Sequence, residues 1–91
     1  MKVTYRIHAL RRMFERGITE ADARSVLDGG EVIAIYPDDR PYPSRLLLGW
    51  WNNRPLHVVA AYNAREEEQI VITVYEPDPA LWRDGFTRRK P

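Results

Sequence analysis

Pro55-Leu56-His57-Val58-Val59-Ala60-Ala61-Tyr62-Asn63-Ala64-Arg65-Glu66-Glu67-Glu68-Gln69-Ile70-Val71-Ile72-Thr73-Val74-Tyr75-Glu76 reads as two strands and the polar turn between them. Aliphatic, β-branched and aromatic residues crowd both ends, while Asn63 to Glu68 is polar and turn-forming. Side chains alternate across a strand, so Leu56, Val58 and Ala60 share one face and His57, Val59 and Ala61 the other. In the second run Ile70, Ile72 and Val74 share a face, and Val71, Thr73 and Tyr75 take the opposite one. The all-aliphatic sets should lie under helices. That leaves His57, Thr73 and Tyr75 together on the second face.

Upstream of this pair the pattern continues. Arg45 to Trp51 is a strand that turns through Asn52-Asn53-Arg54 into the run from Pro55 to Tyr62, and Trp50 and Trp51 must point to opposite sides of it. Glu31 to Tyr36 is another strand, ended by Pro37-Asp38-Asp39-Arg40-Pro41-Tyr42-Pro43, whose three prolines exclude helix and sheet interior alike. The first thirty residues are helical. Thr4 is placed as the cap of a helix over about residues 5–16, stopped by Gly17 in a left-handed conformation. Ile7, Leu10, Met13 and Phe14 form its apolar stripe; His8, Arg11, Arg12, Glu15 and Arg16 form the other side. Thr19, with Asp22 three residues on, caps a second helix that turns Ala23, Val26 and Leu27 inward and ends at Gly29-Gly30. Asp78-Pro79 begins a short C-terminal helical turn carrying Leu81 and Trp82, and residues 83–91 read as a frayed tail. The fold expected is a single α+β domain over residues 1–91, with two N-terminal helices on a four-stranded antiparallel sheet.

Composition narrows the function classes. Ninety-one residues allow one modest core. There is no cysteine, so disulfides and thiolate metal sites are out, and two histidines are too few for a zinc site unless carboxylates complete it. No stretch approaches the ~18 apolar residues of a membrane span. With no charged-then-apolar leader, the chain is expected to be soluble and, in a bacterium, cytoplasmic. Net charge is +1, yet 12 of the 14 basic residues are arginine, the side chain whose planar fork fits phosphate. Residues 1–16 hold Lys2, Arg6, Arg11, Arg12 and Arg16 against Glu15 alone. The acids gather in Asp38-Asp39 and Glu66-Glu67-Glu68.

Four segments in order carry a resemblance. They are residues 8–18, from His8-Ala9-Leu10-Arg11-Arg12 to Gly17-Ile18; 36–44, around Pro37-Asp38-Asp39; 55–59, Pro55-Leu56-His57-Val58-Val59; and 72–79, Ile72-Thr73-Val74-Tyr75-Glu76-Pro77-Asp78-Pro79. Together they resemble a family of small bacterial proteins known as a domain of unknown function. Its members resemble the toxin half of toxin–antitoxin pairs with an MqsA-type zinc-finger partner. The anatomy is similar to the RelE-like microbial ribonuclease fold.

The resemblance implies metal-independent RNA cleavage without a cofactor, by attack of a ribose 2′-hydroxyl on the adjacent phosphate. On that basis His57 is the expected general base and His8 the general acid, in exchangeable roles, because histidine titrates near neutrality. Arg12 and Arg16 would hold the scissile phosphate, and Thr73 and Tyr75 would position it. Expected partners are RNA and a cognate antitoxin of zinc-finger or helix-turn-helix type. The rival from the residues is a non-catalytic RNA- or protein-binding module that uses the arginine-lined face. A third reading is a homodimer through an apolar face bearing Val59, Ala61 and Val71.

Overall fold

A computed structural model describes residues 1–91. In chain order the elements are β1 (Lys2–Tyr5), α1 (Ile7–Arg16), α2 (Glu20–Gly29), β2 (Glu31–Tyr36), β3 (Ser44–Trp51), β4 (Arg54–Asn63), β5 (Glu68–Tyr75), β6 (Trp82–Arg83) and β7 (Arg88–Arg89). The main sheet has five strands in the order β1-β5-β4-β3-β2, and β6 and β7 form a separate two-stranded sheet. The expected four-stranded antiparallel sheet is therefore corrected to a five-stranded mixed one. The extra strand is β1, which runs parallel to β5 from Lys2↔Glu68 to Tyr5↔Val71. Thr4 sits in that strand and donates to Glu68 Oε2 at 3.1 Å instead of capping a helix. A four-residue strand whose partner lies more than sixty residues away leaves almost no local pattern to read.

Local chemistry explains the other boundaries. The Thr19 hydroxyl accepts from the Asp22 amide at 3.1 Å and the Asp22 carboxylate accepts from the Thr19 amide at 2.9 Å, a full capping box. Gly17, at φ 70°, ends α1 with its N–H directed to Met13 and Phe14, and Ile18 follows it into the core. Asn52 and Asn53 both take positive φ, the two-residue turn that pins β3 against β4 at Trp51↔Arg54.

The core lies between the helices and one face of the sheet. Leu47 of β3, Leu56, Val58 and Ala60 of β4, and Val71 and Val74 of β5 pack against Ala9, Met13, Ile18, Ala23, Val26 and Leu27. The presence of Val71 in this set comes from a bulge. Pairing shifts between Val59 and Ala60, so Ile72 is the extra residue and the alternation of β5 reverses on either side of it. Val74 and Val71 thus share the helix side, Thr73 and Tyr75 face the other way, and the expected trio Ile70, Ile72 and Val74 is broken up.

α1 also turns differently from expectation. Its inward line is Ala9 and Met13, whereas Ile7 is 72 % and Phe14 88 % exposed, and Leu10 is exposed beside them. The small Ala9 lets the helix approach β5 closely, and that approach sets the rotation. α2 is seated by a comparable close fit. A Cβ at Gly30 would stand 2.5 Å from the Val26 carbonyl oxygen and 2.8 Å from that of Leu48. Gly30→Ala is therefore expected to lose about 1–3 kcal/mol through overpacking against backbone, read as a lower urea midpoint with an unchanged slope.

Candidate functional site

β4 carries His57 out of the helix-free face, opposite Leu48 on β3 and Tyr75 on β5. It is 0 % exposed. The C-terminal segment closes over it. The expected turn at Asp78-Pro79 is present, the Asp78 carbonyl accepting from the Leu81 and Trp82 amides and its Oδ1 from the Ala80 amide. The expected frayed tail is instead a hairpin of β6 and β7, turned at Asp84-Gly85-Phe86 with positive φ at all three residues. The signal for this was present, since Asp-Gly is a strong hairpin turn pair. The Trp82 indole meets the His57 ring edge-on, with centroids 4.4 Å apart. Phe86 in turn meets the edge of Trp50 at 6.2 Å. Trp50 and Trp51 do diverge, Trp51 packing against the helix-side core.

The hydrogen bonds of His57 assign its protons. Nε2 stands 2.9 Å from the Phe86 carbonyl oxygen, which can only accept, so Nε2 carries hydrogen. Burial holds the imidazole below its ordinary pKa of 6.5, although the bond to Phe86 pulls the other way. The ring is accordingly neutral, Nδ1 is bare, and it accepts from the Tyr75 hydroxyl at 3.1 Å. Tyr75 itself is pushed above its ordinary value, first by burial and then by the nearby Tyr36, against a smaller opposite pull from Arg89. It stays a neutral phenol.

Stability depends on pH through the same ring. As pH falls below about 6.5 the unfolded chain takes up the histidine proton before the folded one does. Stability is complete above that value and declines from there towards the lowered folded pKa. Urea midpoints measured from pH 7.5 to 5 should show the decline, and His57→Gln should flatten the part of it due to this ring.

The remaining site residues fall in two places. Thr73 pairs with Val59 and lies on the same sheet face as His57 and Tyr75. His8, Arg12 and Arg16 are exposed on α1, which packs on the opposite face. The two histidines are not brought together: one is enclosed beneath the hairpin and the other stands on the helix side of the sheet. Arg16 alone approaches the strand ends, where it lines an open cleft of about 440 Å³ with Pro55, Glu76, Asp78 and Phe86. Arg54 closes that end with a two-pronged bond to Glu76 at 2.6 and 2.8 Å. The apolar patch expected for a homodimer is not open either. Val71 turns to the helix side, Ala61 is buried and Val59 is half-buried.

The arginines of α1, and Arg6 just before it, keep free heads. The ion pairs of the chain join Lys2 to Glu68, Arg54 to Glu76 and Arg88 to Asp84, and none involves Arg6, Arg11, Arg12 or Arg16. The residues alone gave no sign of a further feature, a cleft of about 330 Å³ between the hairpin and β2 to β5, walled by Tyr36, Tyr75 and Trp82. No helix of the chain is long and apolar enough to cross a membrane.

Residues 5–76 match the family described as Domain of unknown function (DUF4258). No curated protein and no solved structure matches the chain.

Proposed function

The chain belongs to the DUF4258 family, and we propose that it is an RNA-binding domain that grips the sugar–phosphate backbone with the exposed side of α1. The carrying observation is that Arg6, Arg11, Arg12 and Arg16 are all exposed and none is paired with a carboxylate. On a helix, His8, Arg12 and Arg16 stand one above another at four-residue intervals, with Arg11 beside them. Guanidiniums spaced by a turn can engage successive phosphates, each with two parallel N–H donors. The test is retention of a labelled single-stranded RNA as salt is raised, because phosphate contacts release counterions and weaken steeply with salt.

A catalytic form of the same reading is an endoribonuclease toxin, and one observation favours it: His8 is an exposed imidazole in line with Arg12. A two-histidine division of labour finds no support, since His57 has both nitrogens engaged and no exposed surface. Cleavage would therefore rest on His8 taking the 2′-hydroxyl proton while Arg12 holds the phosphate. The P–O5′ bond breaks, the leaving 5′-oxygen takes a proton from water, and a 2′,3′-cyclic phosphate remains. His8→Ala should abolish RNA cleavage and any growth inhibition while leaving stability unchanged within about 0.5 kcal/mol, as for other exposed sites. Cleavage that survives this substitution contradicts the catalytic form. An antitoxin partner would have the bare ridge of Ile7, Leu10 and Phe14 to cover, next to cations that favour an acidic surface.

A further inference from the structure

The cleft beneath the C-terminal hairpin has a chemistry of its own. Its volume of about 330 Å³ lies within the ~300–1,000 Å³ of small-ligand clefts. Tyr36, Tyr75 and Trp82 wall it, Leu46 lines it with further apolar surface, and Arg89 reaches it. The Arg89 guanidinium lies 5.8 Å over the Trp82 ring and forms no ion pair. Tyr75 is directional. Its proton is committed to His57 Nδ1, whose tautomer is fixed in turn by the Phe86 carbonyl, so the phenol oxygen offers a ligand only lone pairs. The cleft therefore combines aromatic walls for a planar ring, an acceptor for a ring N–H or amine, and one free cation for an attached anion.

We propose that this cleft binds a single nucleotide unit, with its base among Tyr36, Tyr75 and Trp82 and its phosphate on Arg89. A nucleobase supplies the flat face and the hydrogen-bond donor, and the phosphate supplies the anion. A bare sugar or inorganic phosphate satisfies one requirement at most. The cleft lies beyond the α1 surface of the RNA-binding reading, and its own chemistry carries it without α1. The same chemistry is offered by a free mononucleotide and by the terminal residue of an RNA strand.

The experiment follows the Trp82 indole N–H by NMR while the full chain is titrated with CMP, AMP, cytidine, inorganic phosphate and a hexaribonucleotide bearing a terminal phosphate. CMP or AMP is expected to shift the Trp82 signal and to bind at least about tenfold more tightly than cytidine or phosphate alone. Arg89→Ala should remove that tenfold advantage and leave cytidine unchanged; Tyr75→Phe should weaken all base-containing ligands. Read at Trp82 in a chain with Arg11, Arg12 and Arg16 replaced, tighter binding of the hexanucleotide than of CMP identifies an RNA end as the source, and equal or weaker binding identifies the free nucleotide. No Trp82 shift with any nucleotide, or CMP binding indifferent to Arg89→Ala, overturns the proposal. Repeating the CMP titration on a chain with Arg11, Arg12 and Arg16 replaced separates the two surfaces. A cleft that still binds CMP in that chain stands even if the α1 reading fails, and a silent cleft leaves the α1 reading intact.

Discussion

Replacing Arg11, Arg12 and Arg16 together with alanine is expected to weaken single-stranded RNA binding about 100-fold at 0.1 M salt. The figure comes from counterion release. Each phosphate contact to a single strand contributes about 0.7 to the slope of log K against log salt, which at 0.1 M is about fivefold in affinity. Removing all three guanidiniums therefore costs about two decades and flattens the slope by about 2. The three side chains are exposed and form no ion pairs, so the folded chain should tolerate their removal. Circular dichroism and an unchanged urea midpoint would show that the fold is intact and that only RNA binding is impaired. Phe14→Ser is the matched control. It removes the most exposed aromatic of α1 without removing charge, and should leave both RNA affinity and stability unchanged within about 0.5 kcal/mol.

The second large effect is on the fold itself. His57→Ala should cost about 3–5 kcal/mol, the range for deleting a buried ring when stranded partners add to the cavity. Tyr75 would lose its acceptor, the Phe86 carbonyl its donor, and the Trp82 indole the ring it packs against. Against a total of about 5–15 kcal/mol for a domain of this size, that is a large share. The damage should begin locally. Amides of residues 82–89 would lose hydrogen-exchange protection before those of β3 and β4, because the hairpin is attached to the sheet mainly through this ring and its neighbours. His57→Ala that leaves the urea midpoint and the protection of the hairpin intact would show that the ring does not seat it.

What could be read from the residues alone follows the range of the forces involved. The Thr19–Asp22 capping box and the Gly17 stop depend on atoms three or four residues apart, and both are where the sequence places them. His57, Thr73 and Tyr75 do share a sheet face, because alternation holds over a few residues and the bulge falls just before Thr73. The same bulge at Ile72 moves Val71 to the helix side. Nothing in an unbroken run of β-formers marks where one extra residue will be accommodated.

Long-range choices were hidden more deeply. β1 exists only because Glu68 to Val71 leaves an edge for it to pair with. The rotation of α1 follows from how closely Ala9 can approach β5. An apolar stripe of Ile7, Leu10, Met13 and Phe14 suggests burial by hydrophobicity alone, yet of the four only Met13 is buried, beside the small Ala9. The meeting of His8 and His57 failed for a related reason. Chemistry-bearing residues can be named from sequence, but the face to which a helix carries them depends on packing across the whole sheet.

The most direct test of the α1 surface is a map of amide shifts on adding single-stranded RNA to the chain labelled with ¹⁵N. The account predicts that the largest shifts, removed by raising salt, fall on residues 6–16, with Arg11, Arg12 and Arg16 among them. Shifts confined to other surfaces, or none at RNA concentrations that saturate a phosphate-binding domain, would contradict it.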